Sequence, residues 1–298
     1  MVQRESKHKM VIEKVNNMHS CWYKALFFSL SFISMLTQAS DGKLIGTAGL
    51  NQIEGSGGGG IVPWATLAGY DSREQISVNA FTTQVDIDDY RLNVLGVSAS
   101  FYDRVELSVA QHRFDLKTLG GDIKQNVYGI KYRIYGDVVY SVWPQLSVGI
   151  QHKELDDGSI ARAVGAANNN SGTDIYLAAT KVHLGAIAGF NAVWSLTARA
   201  TKANQLGLLG FGGVNNDSYQ IMAEASAGVL FSRHLAIGVE YRQKPDNLGL
   251  GEEDWVDVFV TYIPSKNLSF TLAWAELGSI AGAKDQSGIY LSLNGQLW

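Results

Sequence analysis

The sequence predicts an all-β chain closed as an antiparallel up-and-down transmembrane β-barrel of about twelve strands, on three observations. Apolar and polar residues alternate over segments of about ten residues, the links between segments are alternately short and long, and an export leader precedes them. Alternation with period two means strand, one face apolar and the other small or polar. The clearest case is 255–298. Val256, Val258, Val260 and Tyr262 alternate with Asp257, Phe259 and Thr261, and a Pro-Ser-Lys-Asn turn follows at 264–267. Leu268, Phe270, Leu272 and Trp274 then alternate with Ser269, Thr271 and Ala273, and a Gly/Ala-rich loop leads to Ile289, Leu291 and Leu293.

The leader comes first. Arg4, Lys7, Lys9, Lys14 and Lys24 precede an apolar run at 25–36, and Ala39 supplies the small residue at the cut. This is the pattern of a secretory signal peptide over 1–39, cleaved near Ala39. The run is shorter than the ~20 residues that cross a bilayer as a helix. Cys21 is the only cysteine and lies in the leader, so the exported chain forms no disulfide although the periplasm is oxidising. Five of the 24 basic and two of the 28 acidic residues also fall in the leader, leaving a net charge near −7. An acidic chain is a poor partner for nucleic acid. The expected division is 1–39 leader, 40–74 glycine-rich segment and 75–298 barrel.

The segment 40–74 is the least regular, and two readings of it stand. The simpler is a hairpin of 44–52 with 61–68, which opens the sheet and raises the strand count to fourteen. In the other the segment folds inside the barrel as a plug or gate, with Gly57, Gly58, Gly59, Gly60, Pro63 and Trp64 its candidate residues. A run of glycines lets backbone approach another surface closely. No Lys-Ser/Thr pair follows the glycines, which excludes a phosphate-binding loop.

From residue 75 the alternation gives strands over 75–85, 90–101, 105–114, 126–134, 145–151, 174–182, 191–200, 219–229 and 235–242, and then the last three. The links 102–104, 231–234 and 264–267 are short; 115–125, 154–173, 202–217, 243–254 and 276–287 are long. Short turns belong on the periplasmic side and long loops outside. The link 135–144 is too long for a periplasmic turn. The final strand carries its apolar residues out of step with the terminal Trp298.

The polar strand faces hold Glu106, His112, Lys131, Arg133, Arg199, Glu224, Glu240, Arg242 and Asp257. Pointed inward, these acids and bases share one lumen, wider than that of a side-chain-filled eight-stranded barrel. Three readings follow: an ion-pair network that closes the lumen, a narrow channel that selects solutes by charge, or lumenal binding or catalysis. His112, His152, His183 and His234 are followed two positions on by Phe114, Glu154, Gly185 and Ala236, so the His-x-Ser pair of outer-membrane phospholipases is absent. No spacing matches a zinc or Ca²⁺ site, and no cofactor is expected. The loop acids Asp156, Asp157, Glu252, Glu253 and Asp254 read as solvated turns. The apolar stretch 206–213 (LGLLGFGG) folds into the barrel mouth, touches lipopolysaccharide or extends a strand. Tyr70, Tyr90, Tyr102, Tyr135, Trp143, Tyr219, Tyr241, Trp255, Tyr262 and Trp298 lie near strand ends, as interfacial girdles do.

Five stretches, NQIEGSGGGGIVPWATLAGY (51–70), FYDRVELSVAQHRFD (101–115), SGTDIYLAATK (171–181), QLGLLGFGGVNND (205–217) and VEYRQKPDNLGLGEEDWVD (239–257), resemble an uncharacterised proteobacterial family known as domain of unknown function 3034. The resemblance implies a secreted envelope barrel and assigns no activity or catalytic residue. The expectation is therefore an outer-membrane barrel without recognisable enzyme chemistry, a passive or gated pore for small solutes. The alternatives are a non-conducting barrel that meets a partner through its external loops and, third, a lumenal enzyme. Its expected partners are outer-membrane lipid, lipopolysaccharide, the barrel-assembly machinery and small solutes, not nucleic acid.

Overall fold

Residues 43, 45–167 and 169–298 are described in a computed structural model; the expected leader falls outside them. Two short strands, β1 (Leu50–Asn51) and β2 (Gly57–Gly58), pair with each other. Twelve long strands follow. They are β3 (Ile76–Ile87), β4 (Tyr90–Phe101), β5 (Val105–Leu116), β6 (Asp122–Tyr135), β7 (Gln145–Leu155) and β8 (Ser171–Ile187). The second half comprises β9 (Phe190–Thr201), β10 (Gln220–Ser232), β11 (Leu235–Arg242), β12 (Trp255–Ser265), β13 (Leu268–Glu276) and β14 (Ser287–Gln296). Each strand pairs antiparallel with its neighbours in sequence, and β14 pairs with β3 from Gly288↔Ile87 to Gln296↔Asn79, closing the barrel. Closure leaves no strand edge, the condition for crossing a bilayer with sheet.

Alternation sets the two faces. On β12, Trp255, Asp257, Phe259 and Thr261 are buried, while Val256, Val258, Val260 and Tyr262 are exposed. Leu95, Leu107, Ile130, Ile175, Leu196, Ile221 and Leu272 are exposed on other strands in the same way. So many outward Leu, Ile and Val make an apolar belt, and polar side chains turn in. Leu272, 51% exposed on β13, tests this reading. Leu272→Arg is expected to lower the stability of the bilayer-inserted barrel by about 2–4 kcal/mol, where the same change on a water-facing strand moves stability by roughly 0.5 kcal/mol or less. Denaturant unfolding from lipid vesicles measures it.

The glycine-rich segment adds no strand to the wall. β14 and β3 hydrogen-bond directly along the seam where a hairpin would have to insert, so the fourteen-strand alternative is excluded. Residues 49–71 run inside the barrel instead, nearly all buried. The aromatic expectation also needs correction. Tyr70, Tyr90 and Trp255 are buried and face inward, whereas Tyr102, Tyr135, Trp143, Tyr219, Tyr241, Tyr262 and Trp298 are exposed. Tyr90 stacks on Phe114 with centroids 5.0 Å apart. The long link after β6 tucks against the wall: Val182 N–H donates to Val138 O and Lys181 to Val139 O. At the C-terminus Val78 N–H donates to Trp298 O at 2.9 Å, while the Trp298 side chain stays exposed.

At the long-loop end an apolar cluster occupies the lumen around a small cavity. Val85, Leu92, Phe114, Val127, Leu155 and Tyr290 from the wall pack with Ile53, Ile61 and Val62 of the inner segment. Leu206, Leu208 and Leu209 join it. The stretch 206–213 therefore folds into the mouth, behind a 3₁₀ turn at Asn204–Gly207. A short helix, α1 (Ser159–Ala163), packs Ala161 against the same cluster.

Candidate functional site: a plugged lumen

The inner segment meets the wall through carboxylates that accept its backbone N–H groups. A glycine-rich turn has no side chains to shield those donors, so wall residues must satisfy them. Glu106 Oε1 accepts from Gly57 N–H at 2.9 Å and its Oε2 from Ala68 N–H at 2.7 Å. Lys131, 3.6 Å from Glu106, donates to the carbonyls of Gly57 and Thr66. Glu240 Oε2 accepts from Gly60 and Ile61 N–H at 2.6 and 2.7 Å. Its Oε1 accepts from Ser226 Oγ–H at 2.5 Å and from Trp64 Nε1–H at 3.4 Å. Thr197 donates to Pro63 O, and Gln145 and Ser147 donate to Ala65 O.

One acid of the segment reaches back into the wall. Glu54, fully buried, lies 2.5 Å from Lys153, 3.2 Å from Arg199 and 2.8 Å from Arg242. Arg199 grips Glu224 with two nitrogens at 2.6 and 3.3 Å, approaches Asp174 at 3.3 Å and lies over the Tyr176 ring. Lys153 also pairs with Asp174 at 2.6 Å, and Arg242 with Glu224 at 3.4 Å. Three acids and three bases balance, as buried charge requires. Glu54 supplies the third acid.

Each residue predicted from the sequence thus has a place. Glu106, Lys131, Arg199, Glu224, Glu240 and Arg242 face inward and touch the segment or its counter-ions. Arg133 sits at the short-turn end instead, paired with Asp103 and, at 3.7 Å, Asp137. Asp257, the register partner of Glu240, is buried, and neither carboxylate oxygen has a hydrogen-bond partner. His112 bonds Ile53 O at 2.8 Å. Gly57 to Gly60, Pro63 and Trp64 all lie in the lumen. The sequence reading missed Glu54, Lys153, Asp174 and Gln151. Glu54 carried a signal, being the only charge between Lys43 and Asp71.

Two glycines are required by close approach. A Cβ on Gly58 would lie 2.3 Å from Val62 O and 2.9 Å from Pro63 Cα, and one on Gly59 would lie 2.0 Å from Glu240 Oε1. Backbone cannot swing aside as a side-chain tip can. Gly58→Ala is expected to weaken the seating of the segment by about 1–3 kcal/mol, the usual range for overpacking. Faster hydrogen exchange at the Gly60 and Ile61 amides is the readout.

Of the loop acids read as solvated turns, Asp156, Asp157 and Glu253 are exposed, while Glu252 and Asp254 are engaged. Glu252 is buried against Lys244 at 3.2 Å and accepts from Ala281 N–H at 3.0 Å. Burial holds the Lys244 ammonium below the usual lysine range, against the pull of Glu252. Asp254 accepts from Tyr241 O–H. Among the described residues no group of three or more His, Cys, Asp or Glu is arranged to hold a metal.

Residues 47–294 match the family model described as a protein of unknown function (DUF3034). The chain belongs to that family. None of the curated proteins matches it. Solved barrels are similar in outline. The KdgM porin is 12% identical, with a TM-score of 0.45, over 74% of this chain and 98% of its own. LpxR from Salmonella typhimurium is 16% identical, with a TM-score of 0.47, over 74% and 99%. Outer membrane phospholipase A from Escherichia coli is 8% identical, with a TM-score of 0.35, over 78% and 96%.

Proposed function

We propose that this DUF3034 barrel is a gated pore for small solutes in the bacterial outer membrane, closed in this conformation by the segment 45–70. The observation that carries the reading is the way the segment is held. It shares no ladder with the wall, enters from the short-turn end where β3 begins and β14 ends, and is anchored by carboxylate–amide bonds and the Glu54 ion pairs. A segment outside the hydrogen-bonded cylinder can leave without opening the cylinder. The outer surface meets membrane lipid and lipopolysaccharide, and no enzyme chemistry enters this reading.

The second reading, a non-conducting barrel that works through its external loops, draws on the apolar cluster at the long-loop end. A core of Leu, Ile and Phe in the mouth is costly to wet. Planar-bilayer recording separates the two. The full protein is expected to be silent and a variant lacking 45–70 to show discrete openings. A deletion variant that stays heat-modifiable, and so folded, yet gives no current would overturn the pore and favour the closed barrel.

A further inference from the structure

Apart from Asp257 and Arg133, the predicted charges of the lumen are engaged with the segment or its counter-ions, and the unfilled space is elsewhere. Two cavities flank the segment. One, at the short-turn end, has about 740 Å³ of unfilled space reckoned to its mouth, with Val182, Val193, Leu230 and Ile263 on the wall side and Gly58 to Gly60 on the other. The second, at the long-loop end, has about 470 Å³ and is lined by Leu92, Phe114, Leu277, Ile280, Ile53 and Ile61. Small-molecule sites are mostly apolar with a few polar groups that orient the ligand, and both linings have that character. The stretch 58–61 therefore stands between two apolar chambers, thinnest at its glycines.

The linings carry little charge: Arg233 at the short-turn end is the one Lys, Arg, Asp or Glu among them. In the first chamber Thr180 is bonded to Ser195 and Thr261 to Thr271, each at 2.9 Å, so these hydroxyls serve each other. Thr66 Oγ is buried there without a partner, and the exposed Ser232 and Arg233 stand in the lining at the short-turn end. The second chamber is lined by no ionisable side chain other than Tyr290. Meanwhile Lys153, Arg199 and Arg242 are balanced by Glu54, Asp174 and Glu224, and the Glu240 oxygens are occupied by donors from Ser226 and the segment. Water-filled porin lumens are polar; these chambers are not.

Resting on the pore reading, we infer that the solute is a small apolar molecule carrying at most one hydrogen-bonding group. It occupies the two chambers in turn and passes where Gly58 to Gly60 now stand. The ionic clusters hold the partition and do not select the cargo.

The same anomalous scatterer in apolar and charged form tests this. Crystals of the mature protein are soaked in bromoethane and, separately, in sodium bromide. Bromine is expected in both chambers from bromoethane and in neither from bromide. Val193→Phe, which fills the first chamber from the wall, is expected to remove that peak and leave the other. Bromide in the chambers, bromoethane in neither, or an unchanged first peak in Val193→Phe would overturn the inference. Its failure is distinct from that of the pore. Bromoethane bound in a protein whose deletion variant stays silent leaves an apolar binding site without a channel; openings without bromoethane leave a channel for another cargo.

Discussion

Replacing Glu54 by Gln is expected to give one of the two largest effects of any single substitution in the lumen. The change removes one negative charge and keeps the shape, leaving Lys153, Arg199 and Arg242 against Asp174 and Glu224 alone. Breaking a buried pair from one side costs about 3–5 kcal/mol, because the surviving charge stays desolvated and unmatched. The barrel has two ways to relieve it. If the segment remains seated, the whole loss appears as a lower urea midpoint in vesicles at unchanged slope. If it leaves, the cations become hydrated, the midpoint shifts little, and the bilayer shows openings that the parent lacks. Stability within about 1 kcal/mol of the parent together with silence would mean that Glu54 does not anchor the segment.

Why the strands were legible and the plug was not follows from how each is encoded. All twelve wall strands were readable because lipid outside and a polar lumen inside force a period of two, and the β12 run from Trp255 to Tyr262 carries it without a break. Strand ends were less visible. The alternation of β7 fades after Gln151 because His152 and Glu154 point outward beside inward Gln151 and Lys153, so polar residues occupy both faces. Lys153 was missed for that reason, and with it half of the ion network. The segment 45–74 shares no strand ladder with the wall, hence has no periodicity to read. Its position is set by amides that meet Glu106 and Glu240 some 50 to 180 residues away, and composition carries no trace of such pairings. Tyr90 and Trp255 illustrate the same limit: an aromatic at a strand end reads alike whether it faces lipid or the mouth. Each is turned inward by the register of its strand, where it packs on the apolar cluster.

Arg199 is expected to separate charge from geometry in the same network. Its guanidinium makes two bonds to Glu224, one to Gln151 Oε1 at 2.6 Å, and stands within salt-bridge distance of Asp174 and Glu54. Arg199→Met leaves three acids facing Lys153 and Arg242, and a loss of about 3–5 kcal/mol is expected. Arg199→Lys keeps the charge but replaces a planar fork by one compact ammonium, which cannot span Glu224 and Gln151 together. Its loss is expected to be smaller than that of Met yet well above zero. The pairing with Glu54 is then isolated by a double-mutant cycle. If the two side chains act as one unit, Arg199→Met combined with Glu54→Gln restores charge balance and costs less than the sum of the single changes by about 1–3 kcal/mol. Additivity within about 0.5 kcal/mol would place the anchoring of Glu54 on Lys153 and Arg242 alone. In that case Arg199 would serve the wall and not the plug, and Arg199→Met would weaken the cylinder without producing openings.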